Sequence, residues 1–155
     1  MAAVAKKTPK QKRKSKVDSP FRNFTPYKRR KTEAYMNDKQ VAHFRSILEN
    51  WRLELMVEVD RTVHHMQDEA TNFPDPADRA TQEEEFSIEL RTRDRERKLI
   101  KKIDQTIELL GQGDFGYCDT CGVEIGLERL EARPTATQCV DCKSLEEIKE
   151  KQLRG

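Results

Sequence analysis

Apolar residues recur at intervals of three and four from about Asn37 onward: Val41, Phe44, Leu48, Trp51, Leu55, Val59, Val63, Met66 and Ala70. That spacing gathers them onto one face of a helix with 3.6 residues per turn. No Gly or Pro interrupts the stretch before Pro74, and Asn37 offers a side-chain acceptor for the free amides of the first turn. A helix of roughly 35 residues, at 1.5 Å rise, is about 50 Å long. A small domain is narrower than that, so the apolar face needs a partner helix.

The partner follows directly. Pro74 and Pro76 break the first helix within NFPDPADRA, and a second periodic stretch runs from about Ala77 to Leu110. Phe86, Leu90, Ile100, Ile103 and Ile107 supply its apolar face, and Gly111 and Gly113 end it. Two long helices joined by a tight, proline-bounded turn predict an antiparallel coiled-coil hairpin. At the tip, Asp75 before Pro76 reads as an N-cap, and Asp78 falls at the third helical position. Capping and the helix dipole account for both carboxylates. A second role is compatible with the first: carboxylates on a rigid stalk can present charge to a metal, an amide or a basic group in a deep cleft.

Four cysteines then change the picture. Cys118, Cys121, Cys139 and Cys142 spell C-x2-C, a gap of 17 residues, and C-x2-C again. Two tight turns of this kind supply four thiolates to one tetrahedral zinc ion. All four positions are filled by protein, so the site is expected to be structural. Disulfides or a redox pair are the competing readings; no βαβ pattern surrounds the first pair, and nothing indicates an oxidising compartment.

Composition limits the rest of the chain. Charged residues make up 37% and aromatic residues 6%, which is too polar for a large globular core. No apolar run is long enough for a signal peptide or a membrane span. The expected fold is mainly α. A basic arm over 1–32 precedes a helical hairpin over 33–111 with its tip near 73–80. A four-cysteine zinc finger over 112–143 and a C-terminal helix over 144–155 complete the chain.

The net charge of +2 conceals segregation. Residues 1–32 carry twelve Lys/Arg and Asp18 alone on the acidic side, whereas residues 33–155 sum to −9. The arm, with three prolines and little periodicity, reads as mostly disordered; it could add salt-dependent contacts to nucleic acid or an acidic surface. In RTRDRERKLIKK, Arg91, Arg95, Lys98 and Lys102 share one stripe, while Arg93 and Arg97 fall near the apolar seam and are expected to pair with carboxylates such as Glu54 or Glu58. The stripe is ordinarily a solvated face. Its lower end approaches the zinc finger, where Arg133 and Lys143 add cations that could hold a phosphate-rich ligand. His43, His64 and His65 read as surface or packing residues.

The motifs NFPDPADRA, QEEEFSIELRTRDRERKLIKKI and DFGYCDTCGVEIGLERLEARPTATQCVDCK, with the short final helix, resemble the DksA/TraR zinc-finger family of bacterial transcription factors. The resemblance covers roughly residues 33 to 155. It implies a cytoplasmic, monomeric, non-enzymatic protein that binds RNA polymerase through its secondary channel and rim, without sequence-specific DNA binding. It further implies action with the alarmone ppGpp to destabilise open promoter complexes, in the stringent response. Ribosomal RNA promoters would be repressed and amino-acid promoters activated. By resemblance, Asp75, Asp78 and Ala80 form the tip near the polymerase active site. Leu99, Lys102, Arg133 and Lys143 form one side of a ppGpp site shared with polymerase, and Arg95 helps dock the stalk. A Gre-type RNA cleavage factor and a direct DNA-binding zinc protein are the rival classes.

Overall fold

The computed structural model describes residues 24–70 and 75–155, and the chain builds outward from two long helices. Helix α1 spans Asp38–Ala70 and α2 spans Pro76–Gln112; they lie side by side as an antiparallel pair. Short α3 (Leu127–Ala132) and terminal α4 (Val140–Arg154) follow. Among the described residues no strand forms, only a single bridge between Tyr117 and Glu124. No helix of the described residues is long and apolar enough to cross a membrane.

Each helix end has a local cause. Asn37 Oδ1 accepts the Gln40 amide at 2.9 Å, and the Gln40 side chain reaches back to the Met36 amide at 2.7 Å. This reciprocal arrangement is a variant of the capping box and leaves Gln40 fully buried. At the other end, α2 runs through Gly111 and stops at Gly113, whose φ of 81° is a left-handed cap. Its N–H bonds the Leu109 carbonyl.

The core sits at the base of the hairpin. Phe44, Ile47, Leu48, Trp51 and Leu55 of α1 pack with Ile103 and Leu110 of α2 and with Phe115, Ile125 and Leu130 of the zinc-finger segment. Toward the tip the seam changes character. On α2 the half-buried seam runs Gln82, Phe86, Glu89, Arg93, Glu96 and Ile100, then the buried Ile103, in alternating steps of four and three, with Leu99 also half-buried beside Ile100. This is the 3.5-residue repeat of a left-handed pair. Leu90 falls beside it and is 48% exposed, contrary to its expected place on the apolar face. A 3.5-residue repeat selects Glu89 and Arg93 as seam positions, so the adjacent leucine turns outward. The expected pairing of Arg93 and Arg97 with α1 carboxylates also fails. Arg97 is exposed, Arg93 Nε lacks a hydrogen bond, and neither forms an ion pair among the described residues.

The arm expected over 1–32 lies partly outside the described residues, at 1–23. Residues 24–32 are not a loose tail. Phe24 and Tyr27 pack on the His43 ring, and the Tyr27 amide donates to Glu131 Oε1 at 2.6 Å. Part of the arm is therefore fixed to the base. Likewise α4 starts at Val140, inside the second cysteine pair, rather than after it.

Candidate functional site

The first cysteine pair is built on a two-residue-wide bend. Gly116 and Gly122 adopt φ of 92° and 74°, values that L side chains seldom take. Between them the Cys118 amide bonds the Val123 carbonyl and the Gly122 amide bonds the Cys118 carbonyl, each at 2.9 Å. A methyl group at Gly116 would lie 2.8 Å from the Tyr35 hydroxyl and 2.9 Å from Met36 Cε. That hydroxyl donates to the Gly116 carbonyl at 2.8 Å and also touches the Ile125 carbonyl, so the segment before α1 clamps the finger.

The second pair is built on a helix start. Cys139 is the N-cap of α4 and its sulfur accepts the Cys142 amide at 3.5 Å, placing Cys142 in the first turn. The Asp119 amide reaches the Thr137 carbonyl at 2.9 Å and brings the two pairs together. All four sulfurs then lie within 4.8 Å of one another, and Cys121 Sγ is 3.7 Å from Cys139 Sγ. A regular tetrahedron with Zn–S bonds of 2.3 Å has S···S edges of about 3.8 Å. The donor set and its spacing fit one structural zinc.

The protonation pattern agrees. Amide donors from Cys139 and Cys121 draw the Cys118 thiol down to about 6, ready to ionise. Cys142 is pushed up by its hydrogen bonds to the Cys139 and Cys121 sulfurs. Thiolates crowded in this way need a divalent cation to ionise together.

At the far end of the stalk Asp75 is the N-cap of α2: its Oδ1 accepts the Asp78 amide at 2.9 Å, with Pro76 opening the helix. Asp75, Asp78 and Ala80 are all exposed. The Gln82 side-chain amide bonds the Glu69 carbonyl at 2.9 Å, tying the two helices just below the turn. The turn itself, 71–74, lies outside the described residues. The expected basic stripe of Arg91, Arg95, Lys98 and Lys102 is solvent-exposed along α2.

The expected phosphate-binding residues stand on separate elements. Lys102 is on α2, with Leu99 half-buried beside the core; Arg133 is the C-cap of α3; Lys143 is in the first turn of α4. Lys143 Nζ is 2.7 Å from Glu146 Oε2, and that bond raises the lysine's pKa. A ligand phosphate would have to displace or share this partner. The sequence reading missed the junction of His43 with Glu131, 3.0 Å apart and 88 positions distant. No local pattern signals a pairing across that separation.

A zinc-stapled base carrying a long, acid-tipped helical hairpin defines a narrow class of protein. Residues 40–110 match the family model described as DnaK suppressor protein DksA, N-terminal domain, and residues 113–147 match the prokaryotic dksA/traR C4-type zinc finger. The chain belongs to the DksA family. It is 68% identical over 130 residues to the RNA polymerase-binding transcription factor DksA of Escherichia coli K12, covering 84% of this chain and 86% of that protein. The Haemophilus influenzae relative of the same name is 65% identical over 130 residues, covering 84% and 90%. The solved structure of transcription factor DksA2 from Pseudomonas aeruginosa superposes with a TM-score of 0.72 at 40% identity, covering 76% of this chain and 91% of that one.

Proposed function

We propose that this protein is a cytoplasmic, non-enzymatic transcription factor that binds RNA polymerase. The supporting observation is the capped Asp75–Asp78 pair on a stalk about 50 Å long, in a chain 68% identical to a factor named for polymerase binding. A helical pair of that reach and slender section suits a deep cleft, and the secondary channel is the cleft this reading assigns.

In this mechanism the base docks on the channel rim, with Arg95 on the exposed stripe aiding the stalk. The hairpin then carries Asp75, Asp78 and Ala80 toward the active site. The tip carboxylates perturb the enzyme's hold on melted promoter DNA and destabilise the open complex. Leu99, Lys102, Arg133 and Lys143 complete a ppGpp site with cations of polymerase, so the alarmone strengthens the effect. Ribosomal RNA promoters are repressed, and amino-acid promoters are activated. Zinc supplies no chemistry in this scheme; the four cysteines hold the base together beneath the stalk.

The experiment is transcription by purified polymerase from a ribosomal promoter, with the protein titrated at several ppGpp concentrations. Inhibition that deepens with ppGpp supports the reading, and absence of any effect refutes it. Release of short RNA from a backtracked complex would instead indicate a Gre-type cleavage factor.

A further inference from the structure

The end of the molecule opposite the tip carries a basic run with no role in the scheme above: Lys28, Arg29, Arg30 and Lys31. The run is anchored. The Tyr27 amide bonds Glu131, the Tyr27 hydroxyl donates to Glu33 Oε1, and the Arg30 amide donates to Glu33 Oε2 at 3.1 Å. Arg29 is exposed but engaged locally: its guanidinium bonds the Glu33 carbonyl at 3.2 Å and lies 5.8 Å over the Tyr35 ring. Lys28, Arg30 and Lys31 are exposed as well, beside Lys39 in the first turn of α1.

A cavity of about 400 Å³ opens among them, lined by Tyr27, Lys28, Arg30, Thr32, Glu33 and Lys39. Glu33 is the one carboxylate in that lining, and both of its oxygens are taken by Tyr27 and Arg30. Those bonds, with one from Asn37, keep it ionised down to about pH 2. Among the described residues, none of the side chains of Lys28, Arg30, Lys31 and Lys39 forms an ion pair or a hydrogen bond. Lys39 acts on Glu33 only through longer-range charge attraction, so among the described residues the four cations are gathered without a close side-chain partner.

We propose that this surface binds the phosphodiester backbone of nucleic acid without regard to sequence. Lysine and arginine on exposed backbone make phosphate contacts, which position but do not specify. Lys28, Arg30 and Lys39 line the cavity while Lys31 lies outside its lining, so a chain of phosphates can use more of the surface than a single one. The basic character continues upstream in the sequence, whereas residues 33–155 sum to −9 and repel nucleic acid elsewhere. α1 separates this end from the tip by about 50 Å, so both ends can be occupied at once. The proposal stands independently of the polymerase reading.

The test uses the full chain, zinc-loaded, and fluorescence anisotropy with labelled random-sequence duplexes of about 20 base pairs at rising salt. Wild type is compared with Lys28→Gln/Arg30→Gln/Lys31→Gln/Lys39→Gln and with the stalk control Arg91→Gln/Arg95→Gln/Lys98→Gln. Zinc content and far-ultraviolet circular dichroism verify folding, and Lys28→Gln/Lys31→Gln serves if the fourfold variant fails that check. Wild type should bind unrelated sequences equally. The fourfold variant should bind at least about tenfold more weakly, with a salt slope smaller by about 3. The double variant should lose about half of that slope change, and the stalk control should match wild type. Unchanged affinity and slope in the anchored-loop variants would overturn the proposal. So would complete displacement of the duplex by equimolar pyrophosphate at matched ionic strength, which would mark a small-phosphate site.

Discussion

Asp75 and Asp78 are joined by one hydrogen bond: the Asp78 amide donates to Asp75 Oδ1 at 2.9 Å. The two aspartates are therefore unequal. The Asp75 carboxylate is committed to the start of α2, while the exposed Asp78 carboxylate has no such duty and only complements the helix dipole. A change at Asp75 disturbs structure and charge together, whereas a change at Asp78 separates them.

Zinc binding is expected to be a folding event for the base. The core beneath the finger is small, and the two cysteine pairs are held by few direct bonds besides Asp119 to Thr137. Cys118→Ser should lose the metal and unfold the finger while the hairpin stays largely helical. Metal analysis with circular dichroism checks this; a variant retaining one zinc per chain and full thermal stability would contradict the four-thiolate site.

Gly116→Ala tests the clamp. A residue with a side chain at φ of 92° is strained, and the added methyl would collide with Tyr35 and Met36. We expect a loss of about 1–3 kcal/mol in urea unfolding of the zinc-loaded protein. Gly122→Ala, with open space around the position, should cost less.

The sequence made much of this legible, for reasons specific to each residue. The cysteine spacing needs only two short turns, and the Asp75 cap is encoded within four residues, so both could be read locally. The hairpin was legible because its apolar period is long and uninterrupted. Leu90 was misplaced because a straight 3.6-residue helix and a supercoiled pair diverge along the stalk, and the true seam there is polar. The Tyr35–Gly116 and His43–Glu131 contacts join residues 81 and 88 positions apart, and the anchoring of residues 24–32 depends on the latter junction. No periodicity encodes such pairings.

The polar seam has a pH signature. Burial, reinforced by Glu58, raises the Glu96 pKa, and Arg93 only partly offsets it. A raised pKa means that the folded stalk prefers protonated Glu96, so its contribution is most favourable at acidic pH and is lost as pH rises through the folded value. Glu96→Gln should stabilise the stalk at neutral pH by about 0.5 kcal/mol or less, since much of the group is solvated. The same change should flatten the stability profile on the acid side. Thermal melts from acidic to neutral pH check the sign; a variant less stable than wild type at neutral pH would contradict it.

Lys102→Ala, Arg133→Ala and Lys143→Ala should each weaken the ppGpp response while leaving inhibition at high protein concentration in place. A charge-assisted contact with phosphate typically contributes about 1.5–3 kcal/mol, or roughly a tenfold to hundredfold shift in the ppGpp titration. Lys143 should show the smallest effect, because Glu146 already occupies it. The isolated chain should bind ppGpp weakly, since the proposed site draws its remaining cations from polymerase.

The most direct test of the proposed mechanism is Asp78→Asn in transcription from a ribosomal promoter, with polymerase affinity measured in parallel. Asparagine retains the size and polarity of the side chain, and the Asp75 cap is untouched. The expected result is near-normal folding and polymerase affinity with inhibition reduced at least tenfold. Full inhibition by the Asn variant would leave the tip with its capping role alone and contradict the mechanism.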